Sequence, residues 1–151
     1  MAGTLDRVLR VRALLEDVSR MELEKRSRAL MRIEQAIAQE RRMRKESYAA
    51  IFHNLTVTGD DLGHERVIAE VSAEIAFLRE ERFKVLAQSE SRHAEHAREE
   101  FLARRKERRQ VNAVLDAEAS GREVEKVRRT QCVLDEWFSL RRIQTKQQRQ
   151  S

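Results

Sequence analysis

Large apolar side chains recur every three or four residues along most of the chain, which is the spacing of one face of a helix. Near the start they form two out-of-phase series, namely Val8, Val11, Leu15, Val18 and then Leu23, Leu30, Ile33, Ile37. The shift predicts a stutter in place of one continuous heptad register. The pattern stops at the turn-rich sequence NLTVTGDDLG, which holds two of the four glycines.

These patterns predict a helix over residues about 4–53, with Thr4 as its N-cap, and a loop over about 54–63. A second helix is predicted over about 64–143, capped by Asp60 or Asp61, with Gly121 as a point of bending. A flexible basic tail is predicted over about 144–151. Its sequence also suits contact with an acidic surface.

The second helix carries its own apolar stripe, which we expect to pair with the first helix: Val67, Ile68, Val71, Ile75, Leu78 and Val85. At 1.5 Å per residue the helices would be roughly 75 and 120 Å long, so about a third of the second must overhang or find another surface. Helices joined by one short loop bury their stripes against each other or a partner. We therefore predict an all-α fold: a single long antiparallel two-helix coiled-coil hairpin without a globular core.

Composition supports this fold over a compact domain. Charged residues make up 38% of the 151 residues, aromatic residues 5%, and proline is absent. Few large side chains remain for a core. Disorder is the competing interpretation, but apolar residues recur at helical intervals and helix breakers are rare. Because Arg26 and Ser47 interrupt the seam, we expect a weak and compliant rod.

The charge is positive overall but interleaved. There are 31 basic and 26 acidic residues, a net charge of +5. Mixed signs along helices favour a solvated surface with i,i+4 pairs over direct nucleic-acid binding. A single cysteine, Cys132, fits a reducing compartment. No apolar leader or membrane-spanning run is visible, so we predict a cytoplasmic chain without membrane insertion.

The sequence offers little chemistry. His93, His96 and Glu100 share a helix face and could together bind a transition-metal ion, but a solvated charged face is the better interpretation. Cys132 beside Val133 suits helix packing better than reactivity. The basic run over 103–109 is a solvated face or a dock for an acidic protein surface. With no glycine-rich phosphate loop or nucleophile motif, we predict no enzyme activity, no metal and no cofactor.

Three short motifs nevertheless resemble a known family. RRTQCVLDEWF over residues 128–138 resembles the C-terminal signature of the FliJ/YscO (SctO) family, in which a glutamine precedes Asp-Glu and an aromatic residue. LDRVLRVR over 5–12 looks like the family's opening helix, and Glu46-Ser47-Tyr48 like its aromatic position before the loop. Chain length, two-helix layout and loop position match over essentially the whole sequence. The loop motif and the high arginine content depart from the flagellar members.

The resemblance implies a central stalk of a type III secretion export apparatus, of a bacterial flagellum or a virulence injectisome, with the high charge favouring the latter. Such a stalk inserts into the hexameric export ATPase ring, links it to the export-gate membrane protein, and escorts export chaperones in protein transport. It would lie at the inner-membrane export apparatus. The implied ring-contacting end comprises Val8, Val11, Leu15, Gln131, Asp135, Glu136 and Trp137. The implied gate-contacting end comprises Tyr48, Ile51, Val71, Ile75 and Leu78.

Two other functions remain open from the residues alone. A generic coiled-coil scaffold or dimerisation protein would have the same helical periodicity. A basic helical nucleic-acid binder would have the same net charge, and its binding would fall steeply with salt.

Overall fold

Two long helices pack against each other in the computed structural model, which describes residues 3–56 and 62–149. The first, α1, spans Thr4–Thr56, and the second, α2, spans Leu62–Arg149. No strand is found in those residues, so the all-α prediction is confirmed. The proposed caps Asp60 and Asp61 lie outside the described residues.

Both helices extend beyond their expected bounds. α1 continues three residues past the expected end near 53, and α2 runs to Arg149, beyond the expected end near 143. Residues 144–149 of the expected basic tail are therefore helical and exposed. Their Gln, Arg and Lys side chains are good helix formers, and basic groups near a helix C-terminus favour its dipole. Gly121 lies within α2, and a Cβ there would meet no atom within 4 Å.

The N-terminus of α1 is capped one residue earlier than expected. The carbonyl of Gly3 accepts the first intrahelical hydrogen bond, from the Arg7 amide at 3.3 Å. The Gly3 amide in turn donates to Asp6 Oδ2 at 2.9 Å. Gly3 is thus the N-cap, Thr4 is the first helical residue, and the carboxylate three residues on satisfies the cap's amide, as in a capping box.

The chain divides into two compact units, Leu14–Arg105 and Met1–Ala13 with Lys106–Ser151. In the first unit the seam, meaning the face of each helix turned to the other, shows an unbroken 3-4 spacing of buried or half-buried positions in α1. They are Glu16, Ser19, Leu23, Arg26, Leu30, Ile33, Ile37, Glu40, Arg44, Ser47 and Ile51. The expected stutter is wrong, because polar residues hold the heptad positions where the large apolar residues are missing.

The α2 side of this seam is built largely from alanine. Its buried or half-buried heptad positions are Ala69, Ala73, Ala76, Glu80, Phe83, Ala87, Glu90, Ala94, Ala97, Phe101 and Arg104. Ala73, Ala76 and Ala97 are among the most buried residues in the described chain. Small side chains on α2 thus lie opposite an α1 face that mixes leucine and isoleucine with polar residues, and small side chains let helices pack closely.

The expected α2 stripe is not in this seam. Its members are about half or more exposed: Val67, Ile68, Val71, Ile75, Leu78 and Val85. Relative to the alanine positions, they are displaced by one or two residues, which is 100–200° around the helix. The stripe therefore turns away from α1, and the prediction that it pairs with α1 is wrong.

In the second unit, α1 contributes residues 4–13 and α2 contributes residues 106–149. Leu5, Leu9 and Arg12 are half-buried on α1, as are Val111 and Leu115 on α2. From residue 116 onward, α2 is exposed at every described position except a half-buried Glu125. We call residues 116–149 the C-terminal segment; it has no counterpart on α1 alongside it.

Candidate interaction surfaces

Glu80 is the centre of a charged cluster in the seam. Its side chain is 1% exposed, the lowest value of any large residue described. Arg41 Nε donates to Glu80 Oε1 at 2.8 Å, and Arg44 Nη1 lies 2.9 Å from Oε2. Lys84 Nζ, one turn along α2, lies 3.1 Å from Oε1. Three cations thus compensate one buried carboxylate, which burial alone would strongly destabilise.

This cluster holds Glu80 in its charged form. The Arg41 hydrogen bond lowers the pKa of Glu80, and this outweighs burial, which acts in the opposite direction. Lys84 bonds to both Glu81 and Glu80, and these bonds raise its pKa. The Arg44 guanidinium also lies 5.6 Å from the centre of the Phe77 ring, a cation–π contact. The carboxylate is thus held by ion pairs that join the two helices, which is a structural role.

Further cross-helix ion pairs fix the direction and register of packing. Arg26 Nη1 lies 3.3 Å from Glu90 Oε1, while its Nε donates to Glu22 at 2.9 Å. These bonds raise the pKa of Arg26. Since Arg41 pairs with Glu80 and Arg26 with Glu90, positions fall along α1 as they rise along α2. The helices in this unit are therefore antiparallel.

The implied gate-contacting residues fall on two different surfaces. Tyr48 and Ile51 line a hollow of about 220 Å³ whose α2 wall includes Ala73 and Phe77. Ile51 is half-buried in the seam. Val71, Ile75 and Leu78 instead belong to the exposed stripe described above, which we call the outer stripe of α2. The structure brings Tyr48 and Ile51 together but leaves the other three apart from them.

The implied ring-contacting residues are also divided. Arg12 pairs with Glu107 across the helices, so Val8, one turn earlier on α1, lies level with about residue 111 of α2. Gln131 is about 20 residues further along α2, roughly 30 Å away. The expectation that the C-terminal signature lies beside Val8 and Val11 is therefore wrong. Leu15 belongs to the other unit and is half-buried.

The C-terminal segment has a charged face and an apolar one. Its charged face is self-paired: Arg122 with Glu118 at 3.3 Å, Lys126 with Glu123 at 2.7 Å and Arg129 with Glu125 at 3.1 Å. The apolar face carries Val127, Leu134 and Phe138, each about half or more exposed, together with Trp137. Trp137 and Phe138 meet edge to face at 5.1 Å, and the Arg141 guanidinium lies 5.0 Å from the Trp137 ring centre. This is the largest aromatic surface of the unit.

The candidate chemistry is not assembled into a site. Within the two described ranges, no group of three or more His, Cys, Asp or Glu side chains is placed to hold a metal ion. His93, His96 and Glu100 are all exposed. Cys132 is exposed as well, so the expected packing role of its thiol is not seen in this chain. A groove of about 800 Å³ is lined by Val18, Met21 and Lys25 of α1 and by Glu100 of α2. Ser19 also lines this groove, and its hydroxyl donates a hydrogen bond to the Leu15 carbonyl.

Sequence reasoning missed the alanine seam and the Glu80 cluster. The signal for both was present as a 3-4 spacing of Ala69, Ala73 and Ala76 that continues into Glu80. A search weighted towards large apolar residues selects the outer stripe, which has the same period. Opposite charges on two helices at matching heptad positions would have identified the true seam.

No protein-family model matches the chain, and no curated protein or solved structure matches it significantly. Neither described helix contains a stretch long and apolar enough to cross a membrane.

Proposed function

We propose that the chain is a non-enzymatic central stalk and adaptor of a type III secretion export apparatus. In this proposal it is an antiparallel coiled-coil hairpin whose C-terminal signature and α1 start enter the hexameric export ATPase ring. Its loop-proximal end meets the export-gate membrane protein, and export chaperones bind the assembled rod. The proposal rests on the resemblance of the three sequence motifs to the FliJ/YscO family.

One structural observation supports it most directly: the large apolar residues assigned to partners are mostly outside the helix seam. Val8, Val11 and Trp137 are exposed to between 37% and 55%, and so are Val71, Ile75 and Leu78. Exposed apolar side chains in patches are a feature of protein interfaces. The seam itself is held by alanine packing and charge pairs, so a partner can bind these residues without opening it.

The proposal is tested by adding the full chain to the hexameric export ATPase and measuring co-purification and ATPase rate. We expect a stable complex with a raised rate. Val11→Ser should weaken binding at least about fivefold, as expected for loss of one interface contact. Val85→Ser is the matched control, because Val85 is an exposed helical valine that belongs to neither assigned end. No complex, or equal loss with both variants, would contradict the ring assignment.

The gate assignment needs a separate measurement. We expect the soluble part of the export-gate protein to bind the wild-type chain, and Leu78→Ser to weaken this binding while leaving the ATPase complex intact. Val85→Ser lies one heptad further along the same outer stripe and again serves as the control. Loss of both complexes in Leu78→Ser would indicate a folding defect, which circular dichroism of the variant would reveal directly.

A coiled-coil scaffold is the second candidate, and the C-terminal segment is the observation that favours it. An unpaired amphipathic helix with exposed aromatic residues is suited to joining another helix. A scaffold would bind its partner without affecting any ATPase. A chain that self-associates but neither binds nor stimulates the export ATPase would support this candidate.

A further inference from the structure

Three charged side chains that flank the apolar face of the C-terminal segment have no ion pair along the helix. Upstream, between residues 116 and 129, six charged side chains pair with one another along the helix. Arg128, Asp135 and Arg142 have no ion pair within the described chain. An isolated helix is stabilised by ion pairs between its own side chains. Charges that lack such pairs and lie next to exposed apolar residues therefore indicate an interface.

The apolar face follows a heptad of its own. Val124 and Val127 begin a 3-4 spacing that continues through Gln131, Leu134 and Phe138, all exposed. Counting these as a and d positions puts Arg128, Asp135 and Arg142 at e, and Trp137 at g. An e-position charge flanks the contact between two helices, so its sign decides which helix can bind there.

We propose that this segment is a self-association site, at which the C-terminal segments of two copies pair as an antiparallel coiled coil. With the twofold axis between Cys132 and Val133, Val127 of each copy lies opposite Phe138 of the other. Gln131 of each copy then lies opposite Leu134 of the other.

The charges favour a second copy in the antiparallel direction, because only there do both Arg128 and Asp135 meet an opposite charge. In an antiparallel pair, e positions face e positions, so Arg128 of each copy meets Asp135 of the other, giving two symmetry-related ion pairs. In a parallel pair each e position faces the g position five residues before it in the other copy. Arg128 would then face Glu123, which is already paired with Lys126 at 2.7 Å, and Asp135 would face Thr130, which carries no charge. The same register therefore places a small residue, Val127, opposite a large one, Phe138, and brings Arg128 to Asp135 of the other copy. This inference makes the scaffold candidate specific and does not rest on the stalk proposal, which assigns the same segment to the ATPase ring.

The test is sedimentation velocity of the full chain over a concentration series. We expect a reversible monomer–dimer equilibrium, with the dimer forming as the concentration is raised to about 0.1 mM. Asp135→Arg should raise the dissociation constant on the order of tenfold, since it replaces two cross-copy attractions by repulsions. Arg128→Asp should do the same, and the double variant Arg128→Asp/Asp135→Arg should restore wild-type association.

Glu136→Arg is the matched control. It makes the same charge change at the adjacent position, which is f in the heptad and points away from the second copy. We expect it to leave self-association unchanged. A monomeric wild-type chain would overturn the proposal, as would an effect of Glu136→Arg equal to that of Asp135→Arg, or failure of the double variant to recover. Circular dichroism confirms that each exposed substitution leaves the helices intact.

The single cysteine permits a direct test of direction. A spin label at Ser120→Cys in a Cys132→Ser background lies about 12 residues from the proposed axis, so labels in an antiparallel pair are roughly 35–40 Å apart along the helices. In a parallel pair the two labels would be at the same height, within roughly 20 Å. A short distance would therefore overturn the antiparallel arrangement even if a dimer forms. Binding to the export ATPase is measured separately, so failure of either proposal leaves the other testable.

Discussion

Substituting Ala97 by leucine tests whether close packing holds the first unit together. Ala97 is 5% exposed and occupies the α2 seam, where the neighbouring heptad positions are Ala94 and Phe101. Leucine and alanine have similar helix propensities, so the change acts mainly through packing. In a seam with spare room, a buried leucine would stabilise by about 1.5–3 kcal/mol. In a seam already closely packed against alanine, overpacking costs about 1–3 kcal/mol. The sign of the change in stability therefore distinguishes a loose seam from a closely packed one.

We expect destabilisation. At roughly 2–4 °C per kcal/mol for a chain of this size, Ala97→Leu should lower Tm by roughly 2–12 °C. The measurement is thermal unfolding followed by far-ultraviolet circular dichroism at fixed protein concentration. Ala103→Leu is the matched control, because Ala103 is in the same unit and the same helix but is exposed. Its effect should stay within about 0.5 kcal/mol.

An unchanged or raised Tm for Ala97→Leu would refute the alanine seam. So would an equal fall for Ala103→Leu, since that would trace the effect to helix propensity or to aggregation. A fall in the unfolding temperature of Ala97→Leu alone would confirm that small side chains set the separation of the helices.

Two further predictions concern charge and backbone. The pKa of Glu80 is lowered on folding from its ordinary value of 4.5, so its stabilising contribution is complete above that pH and is lost as pH falls through the folded pKa. Glu80→Gln should therefore lower stability at neutral pH and flatten its acid dependence, measured as Tm against pH, whereas Glu74→Gln at an exposed position should change neither. Gly121→Ala should stabilise the C-terminal segment by about 1 kcal/mol, because alanine is the better helix former and nothing obstructs its Cβ. A loss of helicity in urea melts of this variant would indicate that the helix needs glycine there.

The helical class of the chain could be predicted because its signals are local. Absence of proline and a 3.6-residue apolar period act within one turn of the chain, and they identified both helices. The central part of the predicted loop, residues 57–61, lies outside the described residues. The ends were less well placed. Thr4 has the side chain of an N-cap, but Asp6 can reach the amide of Gly3, and that bond fixes the start of α1. The polar end of α2 remains helical because nothing in it breaks a helix.

The seam could not be predicted by the same reasoning, because α2 has two faces with one period. The outer stripe contains the larger residues, such as Ile75 and Leu78, and so has the stronger hydrophobic signal. What selects the alanine face instead is the fit between helices: Glu80 needs Arg41 and Arg44, which are 36–39 residues away in sequence. Such long-range pairing has no local signature in the sequence. The same choice of seam places the implied gate-contacting residues on two different surfaces.

The choice of seam has a consequence for function. If α2 had turned Val71 and Ile75 towards α1, the unit would have buried more apolar area. Each Å² of buried apolar area stabilises by roughly 25 cal/mol. The outer face of α2 would then have consisted largely of alanine and glutamate. A buried carboxylate with three cations is seldom more stabilising than apolar residues of the same size. The fold therefore uses charge pairs and small residues to set the register and leaves its large apolar side chains exposed. Exposed apolar stripes of this kind are a feature of protein interfaces, so this distribution agrees with the proposed binding of partners.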